Sequence, residues 1–333
     1  MKNIYICIIL INLFLSPFLL SAQQFAFYSM YQRNWQIINP AAPNIAFVQT
    51  SGAENILNVS YRQQWIGVKD APANYNVHFE SMVIEKGKKL NAKYGFGLYG
   101  EPAGAILNNT LYFNYAYPIT LDFGHWSKRN HKLFFGFNAG YLHQRITFKN
   151  VRFDQNIPDE TVDNIIKEQK VSGGQSFFEL TPGVFFTNTE SYYIGLSSPR
   201  LITLGKVNNL LQVINPKPQI HLIAGTYNEE RTVQPSIWLR WQSTIDNQTI
   251  IPKNPISATL NFKSQISKSL LLGVGVSTGK WIHLESGWHI GSSKKSMNAA
   301  VKPILINFAY DLPFYSTGLS LGQTAEINIT FFL

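Results

Sequence analysis

The sequence predicts an all-β protein, a transmembrane antiparallel β-barrel of about fourteen strands. Three observations predict it. Apolar and polar residues alternate with period two along most of the 333 residues. Charged residues make up only 14% while aromatics also reach 14%, against a quarter charged in typical soluble domains. After Ala22 no uninterrupted apolar run of about 18 residues offers a spanning helix. Lipid supplies no water to unpaired backbone groups, so a chain that crosses it without helices closes its sheet on itself. A soluble β-sandwich is the alternative that composition leaves open, and the two chain ends argue against it.

At the N-terminus, Lys2 precedes an apolar stretch from Ile4 to Leu20 that exits through Ser21-Ala22. A charge, an apolar core and a small residue at the cut describe a Sec signal peptide over residues 1–22. The only cysteine, Cys7, falls inside it, so the mature chain holds no thiol for catalysis, disulfides or metal binding. Residues 23–56 alternate weakly and are expected to pack as a plug or a periplasmic arm. From residue 57 to residue 333 the chain reads as one outer-membrane barrel without a linker or composition break.

Within that barrel, Leu57, Val59 and Tyr61 alternate with Asn58, Ser60 and Arg62, and Tyr75, Val77 and Phe79 with Asn76, His78 and Glu80. Leu111 to Tyr117, Ile237 to Trp241 and Ile282 to Ile290 repeat the pattern. Further strands are read near 93–100, 132–143, 176–187, 191–198, 219–227, 256–263, 269–278, 301–312 and 325–333. Polar turns stand at 85–89, 188–190 and 291–295. Two long loops are expected: an acidic one from Thr147 to Gln175, with a short helix over 159–170, and one from Pro199 to Pro218. The last strand carries apolar residues at every odd position from Ala325 to Leu333, the pattern of an outer-membrane insertion signal.

No catalytic constellation emerges, and no cofactor or metal is expected. Gly95-Phe96-Gly97-Leu98-Tyr99-Gly100 spells a dinucleotide fingerprint, but Glu101-Pro102 offers no helix to receive a phosphate. Small residues on a crowded lumen face explain these glycines better. The acidic loop lacks the alternate spacing of a calcium loop. The net charge of +9 is diffuse and suits anionic lipid rather than nucleic acid. Arg62, Glu80, Arg240, Glu285 and Glu326 all point inward by alternation. They either line a pore or neutralise one another in a narrow, filled lumen.

Two short motifs are more distinctive than the pattern. Ile38-Asn39-Pro40-Ala41-Ala42 is followed by Tyr61-Arg62-Gln63-Gln64-Trp65-Ile66-Gly67-Val68 and then Ala71-Pro72. With Tyr192 to Ser197 and Phe308-Ala309-Tyr310-Asp311, they resemble the PorP/SprF family of outer-membrane proteins associated with type IX secretion. The resemblance runs from Gln23 to Leu333 and marks Asn39, Pro40, Ala41, Tyr61, Arg62, Gln64, Trp65, Gly67, Pro72, Tyr310 and Asp311 as the family residues. It implies a barrel in the bacterial outer membrane without enzymatic activity. Implied partners are a secreted protein with a type IX C-terminal domain, often a large adhesin, periplasmic type IX components and outer-membrane lipid. The implied role is in secretion, gliding motility or surface attachment. Arg62 is the residue expected to hold the N-terminal arm in the lumen. The alternative function is a diffusion channel or hydrophobic-solute transporter, which requires a lumen that the arm does not fill.

Overall fold

The computed structural model describes residues 28–44, 55–85, 89–104, 106–121, 131–146, 174–188, 191–205, 216–226, 233–242, 256–267, 269–279, 281–291, 304–313 and 322–333. The expected signal peptide, the acidic loop through residue 173 with its expected helix and the turn around residues 86–88 lie outside them. The strands are β1 (Asn55–Gln63), β2 (Ala73–Glu85), β3 (Lys89–Ala103), β4 (Ile106–Leu121), β5 (His131–Ile146), β6 (Gly174–Asn188), β7 (Tyr192–Ser197) and β8 (Ile202–Gly205). They continue as β9 (Gln219–Thr226), β10 (Gln234–Gln242), β11 (Ile256–Gln265), β12 (Leu270–Ser277), β13 (Trp281–Ile290), β14 (Ile304–Pro313) and β15 (Thr324–Phe332).

Every pairing is antiparallel, and the sheet closes in both directions: β1 pairs with β15, and β5 pairs with β6. The ring therefore runs through fourteen strands, β1 to β7 and β9 to β15. Closure removes the free edges that lipid cannot hydrate. β8 is not a fifteenth stave. It continues the line of β7 along β6, with Ser197 opposite Gly183 and Ile202 opposite Leu180. Five steps on one strand thus meet three on the other, a bulge centred on Ser198–Leu201. The sequence reading has a loop from Pro199 to Pro218; the structure corrects it, with β8 inside that stretch. Its four residues complete only two alternations between two prolines, too few to register as a strand.

The burial pattern is that of a soluble protein turned inside out. On β1 the buried residues are Ile56, Asn58, Ser60 and Arg62, and on β2 they include Asn74, Asn76, His78 and Glu80. The outward positions are apolar and exposed: Tyr61, Val77, Phe96, Leu98, Leu111, Phe113, Phe137 and Leu284 among them. Exposed apolar surface on this scale is stable only against another apolar phase. At the end where the chain terminates, the Leu333 N–H donates to the Asn55 carbonyl, 2.9 Å, and Ile56, Leu305 and Phe332 form an inward apolar cluster. The connections at 189–191 and 266–269 share that end, whereas the longest, 147–173, leaves the opposite one. Outer-membrane barrels keep short turns toward the periplasm and long loops outside, which assigns the two mouths.

Candidate functional site

Residues 28–44 occupy the barrel interior, and every one of them is buried. The segment contains one 3-10 turn, Tyr31–Arg33, and one helical turn, α1, Trp35–Ile38. So little regular structure leaves most of its peptide groups without internal partners, and burial makes each unmet group costly. The wall supplies the partners. Carbonyls of the arm accept from Asn261 (Ser29, 3.3 Å), Asn58 (Arg33, 3.3 Å), Asn138 (Gln36, 2.7 Å), Ser197 (Ile38, 2.6 Å), Asn114 (Pro40, 3.0 Å) and Lys93 (Ala42, 2.7 Å). The inward asparagines of the strands are thus an amide lining that reads a backbone rather than a solvated pore.

Asn39-Pro40-Ala41 sits in a cradle made by one glycine from each of three consecutive strands. A Cβ on Gly136 would lie 2.7 Å from the Ala41 Cα, one on Gly183 3.0 Å from the Pro40 Cδ, and one on Gly195 2.6 Å from the Asn39 Nδ2. Only glycine admits the arm this closely. The Asn39 Nδ2 donates to the carbonyls of Val184 (3.1 Å) and Leu196 (3.4 Å), and its Oδ1 accepts from the Ala41 N–H at 3.0 Å. An apolar seam completes the seat. Trp35 packs on Phe185 and Tyr193 with ring centroids 5.4 and 4.8 Å away, and Tyr31 lies 5.5 Å from Trp238. Such aromatic contacts add about 0.5–1.5 kcal/mol each beyond burial.

Carboxylates hold the other end of the arm. Arg62 Nη2 lies 2.7 Å from Asp311 Oδ2, and Arg62 Nε lies 3.7 Å from Glu326 Oε2. The Ser29 hydroxyl donates to Asp311 at 2.6 Å, and the N–H groups of Ser29 and Met30 donate to Glu326 at 2.7 and 3.3 Å. Arg62 therefore acts on the arm through these two acids. The Asn34 Oδ1 accepts from Ser60 (2.8 Å) and Asn76 (3.2 Å).

The five inward charges read from the sequence do not form one network. Glu80 meets His78 at 3.3 Å and Lys93 at 3.6 Å, and accepts from the Asn44 N–H at 3.0 Å. Glu285 pairs with Lys263 at 2.7 Å. The Arg240 guanidinium stands 5.3 Å over the Trp238 ring and donates to Ser257 at 2.9 Å. A further cluster escaped sequence reading: Arg200, left-handed at φ 57° in the bulge, meets Glu179 at 3.1 Å and Glu101 at 3.5 Å. Gly95 and Gly97 face inward against the rings of His78 and Tyr112, not a nucleotide.

The remaining family residues shape the outer connection between β1 and β2. The Gln64 N–H closes it on the Pro72 carbonyl at 2.9 Å. Trp65 (φ 49°) and Gly67 (φ 92°) take left-handed backbone there, the latter where a side chain is strained. Tyr61 faces outward and donates to Gln63 at 2.7 Å. Tyr310 is also outward and bonds Gln323, whose carbonyl accepts from the Ile66 N–H at 2.7 Å. Among the described residues no group of His, Cys, Asp and Glu is arranged to hold a metal ion.

Fold and interior together define a transmembrane barrel of outer-membrane type, filled by its own N-terminal segment. The family model described as type IX secretion system membrane protein PorP/SprF matches residues 20–331, and the chain belongs to that family. No curated protein matches it by sequence. Among solved structures it is similar to the monoaromatic hydrocarbon channel CymD, at 10% identity and TM-score 0.47, covering 90% of this chain and 91% of that one. The toluene transporter TodX of Pseudomonas putida follows at 9% and 0.45, covering 92% and 93%. Outer membrane phospholipase A from Escherichia coli is similar at 9% and 0.35, covering 89% and 98%. Likeness at these levels leaves those proteins' substrates and activities with those proteins.

Proposed function

We propose that this chain is a non-enzymatic docking barrel of type IX secretion, exported by the Sec route, that supports secretion or surface attachment of a partner with a type IX C-terminal domain. The observation that carries the reading is the family membership joined to a filled lumen: the arm occupies the space that a solute would cross. A barrel whose interior is committed to its own backbone offers partners its loops and mouths. Membership in a type IX family supports a secreted partner, with a large adhesin as the expected kind, and periplasmic components of that machine on the inner side. The exposed apolar wall supports contact with outer-membrane lipid.

The test is mild crosslinking in native cells, purification of the barrel from the outer membrane and mass spectrometry of what accompanies it. Recovery of a large secreted protein near one-to-one supports docking and identifies the partner. Recovery of the barrel alone, with type IX substrates still reaching the surface in its absence, overturns it. The alternative of a diffusion channel or hydrophobic-solute transporter needs the arm to vacate the lumen, and steady conductance of the intact protein in planar bilayers would favour it.

A further inference from the structure

The lumen recognises the arm mainly through its main chain. The carbonyls of Arg33, Gln36, Ile38, Pro40 and Ala42 accept from wall side chains, and the N–H groups of Ser29, Met30 and Asn44 donate to wall carboxylates. Any polypeptide on the same path carries these groups. Side chains are read at Ser29 by Asp311, at Gln32 by Tyr193, at Asn34 by Ser60 and Asn76, and at Asn39 by the carbonyls of Val184 and Leu196. Asn39 also closes its own turn: its Oδ1 accepts from the Ala41 N–H and its carbonyl from the Ala42 N–H, both at 3.0 Å. Asn-Pro-Ala-Ala therefore meets the glycine cradle already shaped. The match stops at Gln36, which is fully buried and whose Nε2 and Oε1 have no hydrogen-bond partner among the described residues. A buried amide without partners weighs against its own seat. The wall fits a backbone with a few polar markers better than it fits the arm's whole sequence.

We infer that the lumen is a peptide-binding site and that residues 28–44 are its tethered, replaceable occupant. The ligand class is a polypeptide segment of a partner protein. It puts Asn-Pro and a small residue into the glycine cradle and, toward its own N-terminus, a serine hydroxyl at Asp311. The polarity is fixed: the Ser29 end lies where β14 finishes and β15 begins, and the Asn44 end lies beside Glu80 and Lys93 toward the opposite mouth. A short tether gives the arm an effective concentration of order millimolar. A rival segment therefore enters when it fits better than the arm or is itself held at the barrel. Replacement adds the interior to the loops and mouths as a surface for a partner. The inference holds whether or not that partner belongs to type IX secretion.

The test uses the whole chain with a protease site inserted between residues 48 and 49, outside the described residues. The folded protein is cut in detergent, unfolded in urea, freed of its arm fragment and refolded with a fluorescent peptide of residues 28–44. The uncut chain taken through the same steps is the control for refolding. The peptide is expected to co-migrate near one-to-one with a barrel of folded, heat-dependent gel mobility, and the reversed sequence to stay free. An Asn39→Ala peptide should bind about tenfold more weakly, and a Gln36→Leu peptide should compete about tenfold more strongly. A barrel that refolds empty, takes the reversed peptide equally or regains its fold only when uncut overturns the inference. A Gln36→Leu peptide that competes no better shows a lumen matched to the arm alone, which also overturns it. Should the insertion itself block folding, the uninterrupted Asn39→Ala chain is refolded with excess labelled peptide; uptake supports the inference and its absence overturns it. No type IX component takes part, so a failed search for a secreted partner leaves this result untouched.

Discussion

Arg62 and Asp311, 249 residues apart in the chain, meet in the lumen at 2.7 Å. Both belong to the motifs that mark the family, one near the end of β1 and the other near the end of β14, and both are buried. Asp311 also accepts the Ser29 hydroxyl, so this ion pair is where the first strand, the penultimate strand and the arm are tied together. The pairing gives a physical reason for two separated motifs to occur in one chain.

Arg62→Ala leaves Asp311 and Glu326 facing each other without their shared cation. Removing one partner from a buried pair costs about 3–5 kcal/mol. Here the cost falls on the seat of the arm, because the barrel keeps its ladders. Faster proteolysis within residues 28–44 and a rise in small-solute leakage are expected, both read on the protein in membranes. Unchanged values for both would remove Arg62 from the account of the arm.

The glycine cradle predicts a cleaner lesion. Gly195→Val places a Cβ 2.6 Å from the Asn39 Nδ2 and 2.8 Å from a Phe185 ring carbon. Valine suits a strand, so the wall persists while Asn39 loses its seat. Conductance should approach that of a variant deleted for residues 28–44, with the heat-dependent gel mobility of a folded barrel retained. A silent bilayer from a folded Gly195→Val protein would sink the cradle's role.

The Lys263–Glu285 pair predicts an asymmetry. Arg33 on the arm lies within electrostatic reach of both, and its Nε and Nη1 have no hydrogen-bond partner among the described residues. Lys263→Met leaves Glu285 with Arg33 as a substitute cation, whereas Glu285→Leu leaves two buried cations together. Glu285→Leu should therefore destabilise more, by about 3–5 kcal/mol against less for Lys263→Met. Urea unfolding in detergent micelles measures the order, and equal losses would place Arg33 outside the pair's field.

The inward charges Arg62, Glu80, Arg240, Glu285 and Glu326 were legible because period two alone decides which face a residue takes. Their partners were not. Lys93 sits on the strand next to that of Glu80 and Lys263 two strands from that of Glu285, and which side chains meet between neighbouring strands depends on register, which alternation does not encode. Arg200 lies in a bulge where the phase of alternation breaks, so its inward turn is invisible to a periodic reading. Gly136, Gly183 and Gly195 are visible as strand glycines, a sign of close backbone approach. That the approaching backbone is Asn39-Pro40-Ala41 is tertiary information. The arm itself was the hardest element. Its polar residues are satisfied by the wall and its apolar residues follow no period, so sequence left plug and periplasmic arm equally open.

The outer wall supplies the last prediction, and it separates a membrane barrel from a soluble one with the same ladder. Val274 lies in the middle of β12 on the outer face, 46% exposed, with Phe262 and Leu284 opposite it on the flanking strands. Ile282, also outward, stands one residue from the outer end of β13. In lipid an outward arginine costs about 2–4 kcal/mol at the midplane and about 0–1 near the interface, where its chain can reach water. Val274→Arg should therefore destabilise the barrel by several-fold more than Ile282→Arg in reconstituted bilayers. In water the two sites would be equivalent, since an exposed arginine on a strand meets no apolar phase. Reversible unfolding of both variants in lipid vesicles measures the difference, and equal, near-zero costs would mean that this apolar face does not meet hydrocarbon.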